Sequence, residues 1–239
     1  MVVAKNYITF NGKNLADFGV VLNGAGTHSA PQRDILMVPV PGRNGSISFD
    51  NGAFNNVIVT YHVGVRRPTS KNLENLRNYL LSLRGYQRIE DTYHPYEYRM
   101  GVFTGSFEPE VTVKGMIAEV DLQFDCKPQR FLKSGEEEIE ITSSGTKIFN
   151  RTPMIAKPLL RVYGTGTVSI GSQTITISSA NSYTDIDCDI MDAFKGSVNC
   201  NGNIVLSSGE FFVLEPGENN ITFSGGISKV IVKPRWWII

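Results

Sequence analysis

Apolar and polar residues alternate with a period of two along much of this chain. Ile47 and Phe49 alternate with Ser46, Ser48 and Asp50. Val57, Val59, Tyr61, Val63 and Val65 keep one parity through Phe54–Arg66, and Val120, Leu122 and Phe124 alternate with Glu119, Asp121, Gln123 and Asp125. A strand sends successive side chains to opposite sheet faces, so this pattern predicts strands with one buried and one polar face. Five Asn-Gly pairs punctuate the pattern, at Asn11-Gly12, Asn23-Gly24, Asn44-Gly45, Asn51-Gly52 and Asn201-Gly202. Both residues tolerate positive φ, so each pair predicts a tight hairpin turn.

One segment changes period. Leu73, Leu76, Leu80 and Leu83 recur at helical spacing and predict a helix over Ser70–Leu83. Thr69 or Ser70 suits its N-cap, Pro68 keeps the preceding chain extended, and Gly85 suits its C-terminal close. The apolar stripe places this helix on a sheet. The last third of the chain reads as short strands separated by turn residues, at the spacing of a sandwich. They are Glu138–Ile141, Pro158–Tyr163, Gly166–Ile170, Gln173–Ile177, Tyr183–Cys188, Gly196–Cys200, Ile204–Leu206, Phe211–Leu214, Asn219–Phe223 and Lys229–Val232.

The chain has 239 residues, enough for two small domains, and its charge helps to divide it. Residues 1–133 carry 15 Lys and Arg against 12 Asp and Glu, or +3; residues 134–239 carry 8 against 11, or −3. The change falls at the polar run Lys133–Glu138, which predicts domains at 1–133 and 134–239 with Glu136–Glu138 as a solvated linker. A net charge of zero argues against non-specific nucleic-acid binding, and 41% hydrophobic residues argue against disorder. No stretch approaches the roughly 20 apolar residues of a membrane span. The opening residues MVVAKNYITFNG lack the regions of a signal peptide. Cys126, Cys188 and Cys200 are scattered and predict buried free thiols rather than disulfides or a metal site.

Little here reads as catalytic chemistry. His28, His62 and His94 have no second His or Cys at ligand spacing, and His62 reads as a strand surface residue. No phosphate loop, dinucleotide loop, nucleophile elbow or zinc-protease motif occurs. Asp185, Asp187 and Asp189 alternate along one strand, with Asp192 close behind. Such a ladder is a candidate for Ca²⁺ or for a glycosidase acid/base pair. The simpler expectation is a solvated face whose Ile186 and Cys188 point inward. The reading is therefore no catalytic residue, no metal and no cofactor. Tyr93, His94, Tyr96 and Tyr98 cluster in Asp91–Tyr98. They make a candidate protein interface, where Tyr is enriched, or a sugar-stacking loop.

Several runs recur in a recognisable order. They are Phe10-Asn11-Gly12-Lys13-Asn14-Leu15-Ala16-Asp17-Phe18-Gly19-Val20, then Val40-Pro41-Gly42-Arg43-Asn44-Gly45, then Phe54-Asn55-Asn56 and the strand to Arg66. The single helix and Cys126-Lys127-Pro128-Gln129-Arg130-Phe131 close the first half. Asn150-Arg151-Thr152-Pro153, Pro158–Gly164, Leu214–Ile221 and Lys233-Pro234-Arg235-Trp236-Trp237 follow. In order, spacing and total length the chain resembles the distal tail (Dit) proteins of long, non-contractile-tailed phages and prophages of Gram-positive bacteria. Phage-tail-like bacteriocins use similar parts.

The resemblance implies a mainly β protein. Its N-terminal domain would be a β-sandwich with one α-helix, related to tail-tube proteins, and its C-terminal domain a galectin-like or carbohydrate-module-like β-sandwich. It implies a non-enzymatic homo-hexameric ring at the distal end of the tail tube, the first domain forming ring and lumen and the second lying outside. Implied partners are the tail tube protein, the tail-associated fibre or lysin protein, a receptor-binding protein and the tape measure protein. DNA would touch it only in transit, and no membrane insertion is implied. The location would be the virion tail tip or baseplate, after assembly in the host cytoplasm. The length leaves no room for an inserted sugar-binding module. The alternative function is a carbohydrate-binding module for the host envelope, and a third is a glycosidase or esterase.

Two further expectations concern side-chain direction. Glu119, Asp121, Gln123 and Asp125 are the candidate lumen face, where like charge would let DNA slide. Val230, Val232, Trp236 and Ile238 share one parity and Lys229, Ile231, Lys233, Arg235 and Trp237 the other. Trp236 is thus expected in the core, and Trp237 on the outer face as a candidate interface residue.

Overall fold

Strands dominate the chain, and one helix interrupts them. The computed structural model describes residues 6–24, 26, 29–113, 115–180 and 182–239, so His28 lies outside the described residues. The chain divides into two units, Met1–Arg130 with Ile239, and Phe131–Ile238.

The first unit contains β1 (Ile8–Phe10), β2 (Lys13–Asn14), β3 (Val20–Leu22), β4 (Arg33–Pro39), β5 (Ser46–Phe54) and β6 (Val57–Arg66). Helix α1 (Ser70–Ser82) follows, then β7 (Gln87–Asp91), β8 (Glu97–Phe103), β9 (Glu110–Val113) and β10 (Ile117–Leu132), whose last two residues belong to the second unit. One antiparallel sheet runs β2-β1-β7-β8-β10-β6-β3, with β9 also on β10. Its longest ladder pairs β6 with β10, from Ile117 opposite Arg66 to Cys126 opposite Val57. That register puts Val57, Val59, Tyr61, Val63 and Val65 beside Val120, Leu122, Phe124 and Cys126 in one buried core, as the alternation predicts.

Phe124 sits at the centre of that core, edge-on to Phe10 at 5.0 Å, Phe103 at 5.5 Å and Tyr61 at 5.9 Å between ring centroids. Thr69 caps α1 by accepting from the Asn72 N–H at 3.2 Å. Leu76 and Leu80 are buried, and Leu73 and Leu83 pack at the margin. The Tyr79 hydroxyl donates to the Phe10 carbonyl, and the Asn72 amide donates to the Phe18 carbonyl, each at 2.6 Å. The helix ends by extension at Leu83 rather than at Gly85.

The Asn-Gly pairs do not all behave alike. Asn11 (φ 49°) and Gly12 (φ 75°) make a two-residue turn in which Phe10 faces Lys13, the expected hairpin. Gly52 (φ 70°) lies inside β5, where the register against β4 shifts, so Asn51-Gly52 makes an irregularity in a strand rather than a turn. Asn201-Gly202 lies in a 3-10 turn, Asn201–Asn203.

The second unit contains β11 (Ile139–Ile141), β12 (Thr146–Asn150), β13 (Leu159–Tyr163), β14 (Gly166–Ile170), β15 (Gln173–Ile177) and β16 (Tyr183–Asp187). It continues with β17 (Asp192–Lys195), β18 (Val198–Asn199), β19 (Ile204–Leu206), β20 (Gly217–Gly225), β21 (Lys229–Lys233) and β22 (Trp237–Ile238). Two sheets, β11-β21-β13-β16-β17-β18 and β12-β20-β14-β15-β19, form a sandwich. Leu160, Val162, Ile186, Val230 and Val232 from one sheet share a core with Ile148, Val168, Ile170, Ile175 and Ile221 from the other. Strands β12, β17 and β22 are additional to the sequence expectation. Phe211–Leu214, expected as a strand, makes only one bridge, Leu214 to Ala156, although Phe212 and Leu214 are fully buried. It fills the core without joining a ladder.

In the acidic run Glu137 and Glu138 are exposed and Glu136 is half-buried, but the residues leading into it are held in place. Lys133–Glu136 is a 3-10 turn whose Gly135 is buried, with its carbonyl accepting from the Arg235 N–H at 2.7 Å. A Cβ at Gly135 would stand 2.2 Å from the Trp236 nitrogen, so only glycine fits.

Candidate assembly surfaces

Strand β10 sets its polar row by simple alternation. Glu119, Asp121 and Gln123 are exposed, while Asp125 is half-buried with one carboxylate oxygen sealed and unpartnered. Asp121 faces His62 across the ladder, with Oδ1 2.6 Å from Nδ1, and His62 is exposed as its strand position predicts. Glu119 stands opposite Glu110 of β9. Glu108, Glu110, Glu119, Asp121 and Gln123 thus line one open acidic groove of about 420 Å³. Like charges facing each other across a ladder cost stability. Glu110 joins this surface through the β9 pairing and Glu108 from the segment before it, which the sequence pattern of β10 alone does not reveal.

The β4–β5 hairpin presents an apolar surface of a different kind. Leu36 faces Phe49 and Val38 faces Ile47, yet Leu36 is 59% exposed and Phe49 54%. Ile35 and Met37, on the opposite parity, are also exposed. The alternation of Ile47 and Phe49 therefore predicts the strand correctly but not a buried face. Among the described residues, these two strands pair only with each other. Arg33 lies over the Phe54 ring at 4.9 Å and reaches Asp50 at 3.4 Å, and Asn51 donates to Asp34 at 3.0 Å, so polar contacts support the hairpin near its base. A two-stranded ribbon is marginal alone, and apolar side chains on both faces gain from a covering neighbour. The signal was in the sequence: Ile35-Leu36-Met37-Val38 is an unbroken apolar run that one-sided burial does not explain.

The three candidate tyrosines do different things. The Tyr93 hydroxyl donates to the carbonyls of Asn23 and Gly24, at 3.1 and 2.9 Å, and its ring packs against the core. Tyr93 is a structural brace for the turn after β3. The Arg88 guanidinium covers Tyr98 at 3.7 Å from the ring centroid. Only Tyr96 is widely exposed, at 83%. His94 is held by Asp91, which accepts from its N–H at 2.8 Å. Trp236 is 9% exposed in the second core, and Trp237 is half-buried at its margin, its indole N–H donating to the Ile155 carbonyl at 2.8 Å. Trp236 is thus buried as expected, although Arg235 at φ 59° interrupts the extended strand after Pro234, and Trp237 is partly anchored rather than free on the outer face.

The aspartate ladder departs from its expected solvated state. Asp185 is 4% exposed and Asp187 7%. Arg161 grips Asp185 through two bonds, at 2.7 and 3.0 Å, and Arg235 grips Asp187 at 2.6 and 2.7 Å. Burial pushes the Asp187 carboxyl up, but the Arg235 hydrogen bonds and charge, with the N–H groups of Asp189 and Ile190, bring it below its ordinary value. The hydrogen bonds to Asp185 raise the Arg161 guanidinium correspondingly. Asp189 lies in the turn after β16, outside the strand row, where its N–H donates to Asp187 at 3.1 Å. These carboxylates are already neutralised by arginines, an arrangement of structural ion pairs rather than of a metal site or acid/base pair. Among the described residues no group of three His, Cys, Asp or Glu is placed to hold a metal. Cys126 and Cys188 are buried thiols, each pushed up to about 12 chiefly by burial, whereas Cys200 is only half-buried.

No protein-family model matches the chain, and no curated protein sequence matches it. Solved structures do. The crystal structure of the SPP1 Dit protein, described as a paradigm of the hub adsorption apparatus in phages infecting Gram-positive bacteria, matches with a TM-score of 0.75 at 13% identity, over 98% of this chain and 99% of that one. A chain of the phage P2 baseplate in its activated conformation with Ca matches at 0.53 and 10% identity, over 96% and 98%. A chain of the same baseplate with Sr matches at 0.52 and 11%, over 97% and 99%. The mainly β architecture with its single helix is the fold of these phage hub and baseplate chains.

Proposed function

We propose that this chain is a distal tail hub protein. Six copies form a ring at the distal end of a phage tail tube, joining the tube to the tail-associated fibre or lysin protein and leaving a lumen for DNA. Residues 1–133 make the ring and residues 134–239 a peripheral module. The receptor-binding and tape measure proteins are further neighbours, and the protein acts in the virion tail tip after assembly in the host cytoplasm. The observation that carries this reading is the likeness to the SPP1 Dit chain over nearly the whole length of both chains. The exposed β4–β5 hairpin supports it, since apolar side chains on both faces suit a contact between copies in a closed ring. The acidic row on β10 is our candidate lumen face. Negative-stain microscopy of tails assembled with this protein tests the reading. Six-fold rings with an open centre are expected, and three-fold or five-fold rings at the tail tip would overturn it.

A further inference from the structure

The fold holds the five Asn-Gly pairs with very different firmness. In such a pair the glycine nitrogen can attack the asparagine side-chain carbonyl carbon, and glycine, with no Cβ, hinders the approach least. Attack needs a side chain free to turn back onto the main chain and a glycine N–H that is not already bound. Asn51-Gly52 meets neither condition: the Asn51 amide donates to Asp34 at 3.0 Å, and the Gly52 N–H donates to Asp50 at 2.8 Å. The Asn201 amide is held at both ends, accepting from the Ala193 N–H at 2.7 Å and donating to Asp192 at 2.6 Å. Asn11 is fixed at φ 49° in its two-residue turn, with its N–H donating to the Arg88 carbonyl at 2.8 Å. Asn23-Gly24 is braced by the Tyr93 hydroxyl on both carbonyls, and the Asn23 amide lies over Gly64.

Asn44-Gly45 lacks all of these restraints. Residues 40–45 connect β4 to β5, and Asn44 and Gly45 are exposed. Pro41 and Gly42 take the centre of a turn closed by the Arg43 N–H on the Val40 carbonyl at 3.2 Å, so that hydrogen bond lies before Asn44. Among the described residues, neither the Asn44 amide nor the Gly45 N–H has a hydrogen-bond partner. The space beside Gly45 is open.

We propose that Asn44 is a site of spontaneous self-modification. The Gly45 nitrogen gives up its proton to hydroxide and bonds to Asn44 Cγ. The Cγ–Nδ2 bond breaks, and that nitrogen takes up a proton and leaves as ammonia, so the product is a cyclic imide. One water then opens the ring. Opening at the main-chain carbonyl leaves isoaspartate, and opening at the side-chain carbonyl leaves aspartate. The sum is one amide and one water giving one acid and one ammonia, with no oxidant or reductant. Either product puts a carboxylate in the loop that joins two apolar strands, and lowers the net charge of zero by one. Isoaspartate also lengthens the main chain of the loop by one methylene, and hairpin register depends on loop length. This inference does not depend on ring formation.

The full chain is aged in mildly alkaline buffer, digested in mild acid, and each Asn-Gly peptide is followed by mass spectrometry. A sample aged in urea gives the rate of each pair without the fold. In the folded chain Asn44 should convert at close to its unfolded rate and ahead of the other four pairs. Asn51 and Asn201 should be slowed at least about tenfold, the worth of the hydrogen bonds that must open first. The Asn44 rate should rise in proportion to hydroxide concentration, and neutral hydroxylamine should cleave the aged chain between Asn44 and Gly45 by attacking the imide. Protein isoaspartate methyltransferase should label the aged parent at this loop and leave the loop of Asn44→Gln unlabelled, with melting curves showing that this variant folds. The proposal is overturned if Asn44 keeps its amide in the folded chain while converting in urea, if another Asn-Gly pair keeps pace with it, or if hydroxylamine finds no imide there. None of these results bears on ring symmetry.

Discussion

The β4–β5 hairpin and the β13–β21 ladder are both antiparallel pairs rich in aliphatic residues, and their fates are opposite. In the ladder, Leu160 faces Val232 and Val162 faces Val230, and all four are fully buried because the second sheet covers them. In the hairpin, Leu36 faces Phe49 and Val38 faces Ile47, and all four stay exposed. Alternation states which side chains share a face. Whether that face is covered depends on what the rest of the chain, or another chain, brings to it. The sandwich covers its apolar faces within one chain, and the hairpin leaves its own exposed.

The largest effects should come from the completed region. Trp236 is buried in the sandwich core, so Trp236→Ala should cost roughly 3–5 kcal/mol. Trp237 is half-buried and makes one indole hydrogen bond, so Trp237→Ala should cost about 1–2 kcal/mol. With only two tryptophans in the chain, acrylamide quenching of each conservative single-Trp variant, made by Trp→Phe, reports one site. Thermal melts and quenching should rank the two sites in the same order. Equal losses and equal quenching would show that parity does not govern this strand.

The next largest effect tests how the sandwich covers its charges. Asp187→Ala strips Arg235 of its partner in a largely buried pair and should cost about 3 kcal/mol. The pH dependence follows from the lowered Asp187 carboxyl. Its contribution is fully present above the unfolded carboxylate range, near pH 4, and is lost as pH falls through the lower folded value. The gap in melting temperature between parent and Asp187→Ala should therefore be widest near neutrality and narrow in acid. A gap constant down to the acid limit would mean that the ion pair is not its source.

Much of the fold was legible because local and global preferences agree. The Val57–Val65 and Val120–Phe124 rows and the Thr69 cap follow from period and side-chain chemistry. What the sequence hid depends on distant partners. Asp185 and Asp187 look solvated until Arg161 and Arg235 are brought over them from β13 and the segment after β21. Tyr93 looks like an interface residue until the Asn23–Gly24 turn reaches its hydroxyl. Phe211–Leu214 has a strand's apolar content, but only Leu214 finds a bridge partner.

The uncovered region should respond in assembly rather than in stability. Leu36→Asp with Phe49→Asp changes two side chains that are more than half exposed, so the isolated chain should keep its stability within about 0.5 kcal/mol. If the proposed ring closes through this hairpin, its formation should be lost, because each copy would bring two buried, unpaired carboxylates to the contact. Melting and negative-stain microscopy on the same preparation separate the two outcomes. Rings that persist would place the hairpin outside the contact between copies.

The smallest effect on the chain itself belongs to the acidic row. Glu119 and Asp121 are exposed, and the Asp121–His62 pair lies at the surface, so removing it should change stability by less than about 0.5 kcal/mol. Glu119→Lys with Asp121→Lys is the sharper change, since it reverses the sign of the groove that also holds Glu108 and Glu110. If this face borders the lumen, passing DNA meets fixed positive charge and is retarded by phosphate contacts that salt weakens. Phage carrying the double variant should then eject DNA more slowly at low salt and recover as salt rises. The same variant at a solvent face outside the ring would eject normally at every salt concentration. That result would detach the acidic row from DNA passage while leaving the hairpin and the sandwich as they are.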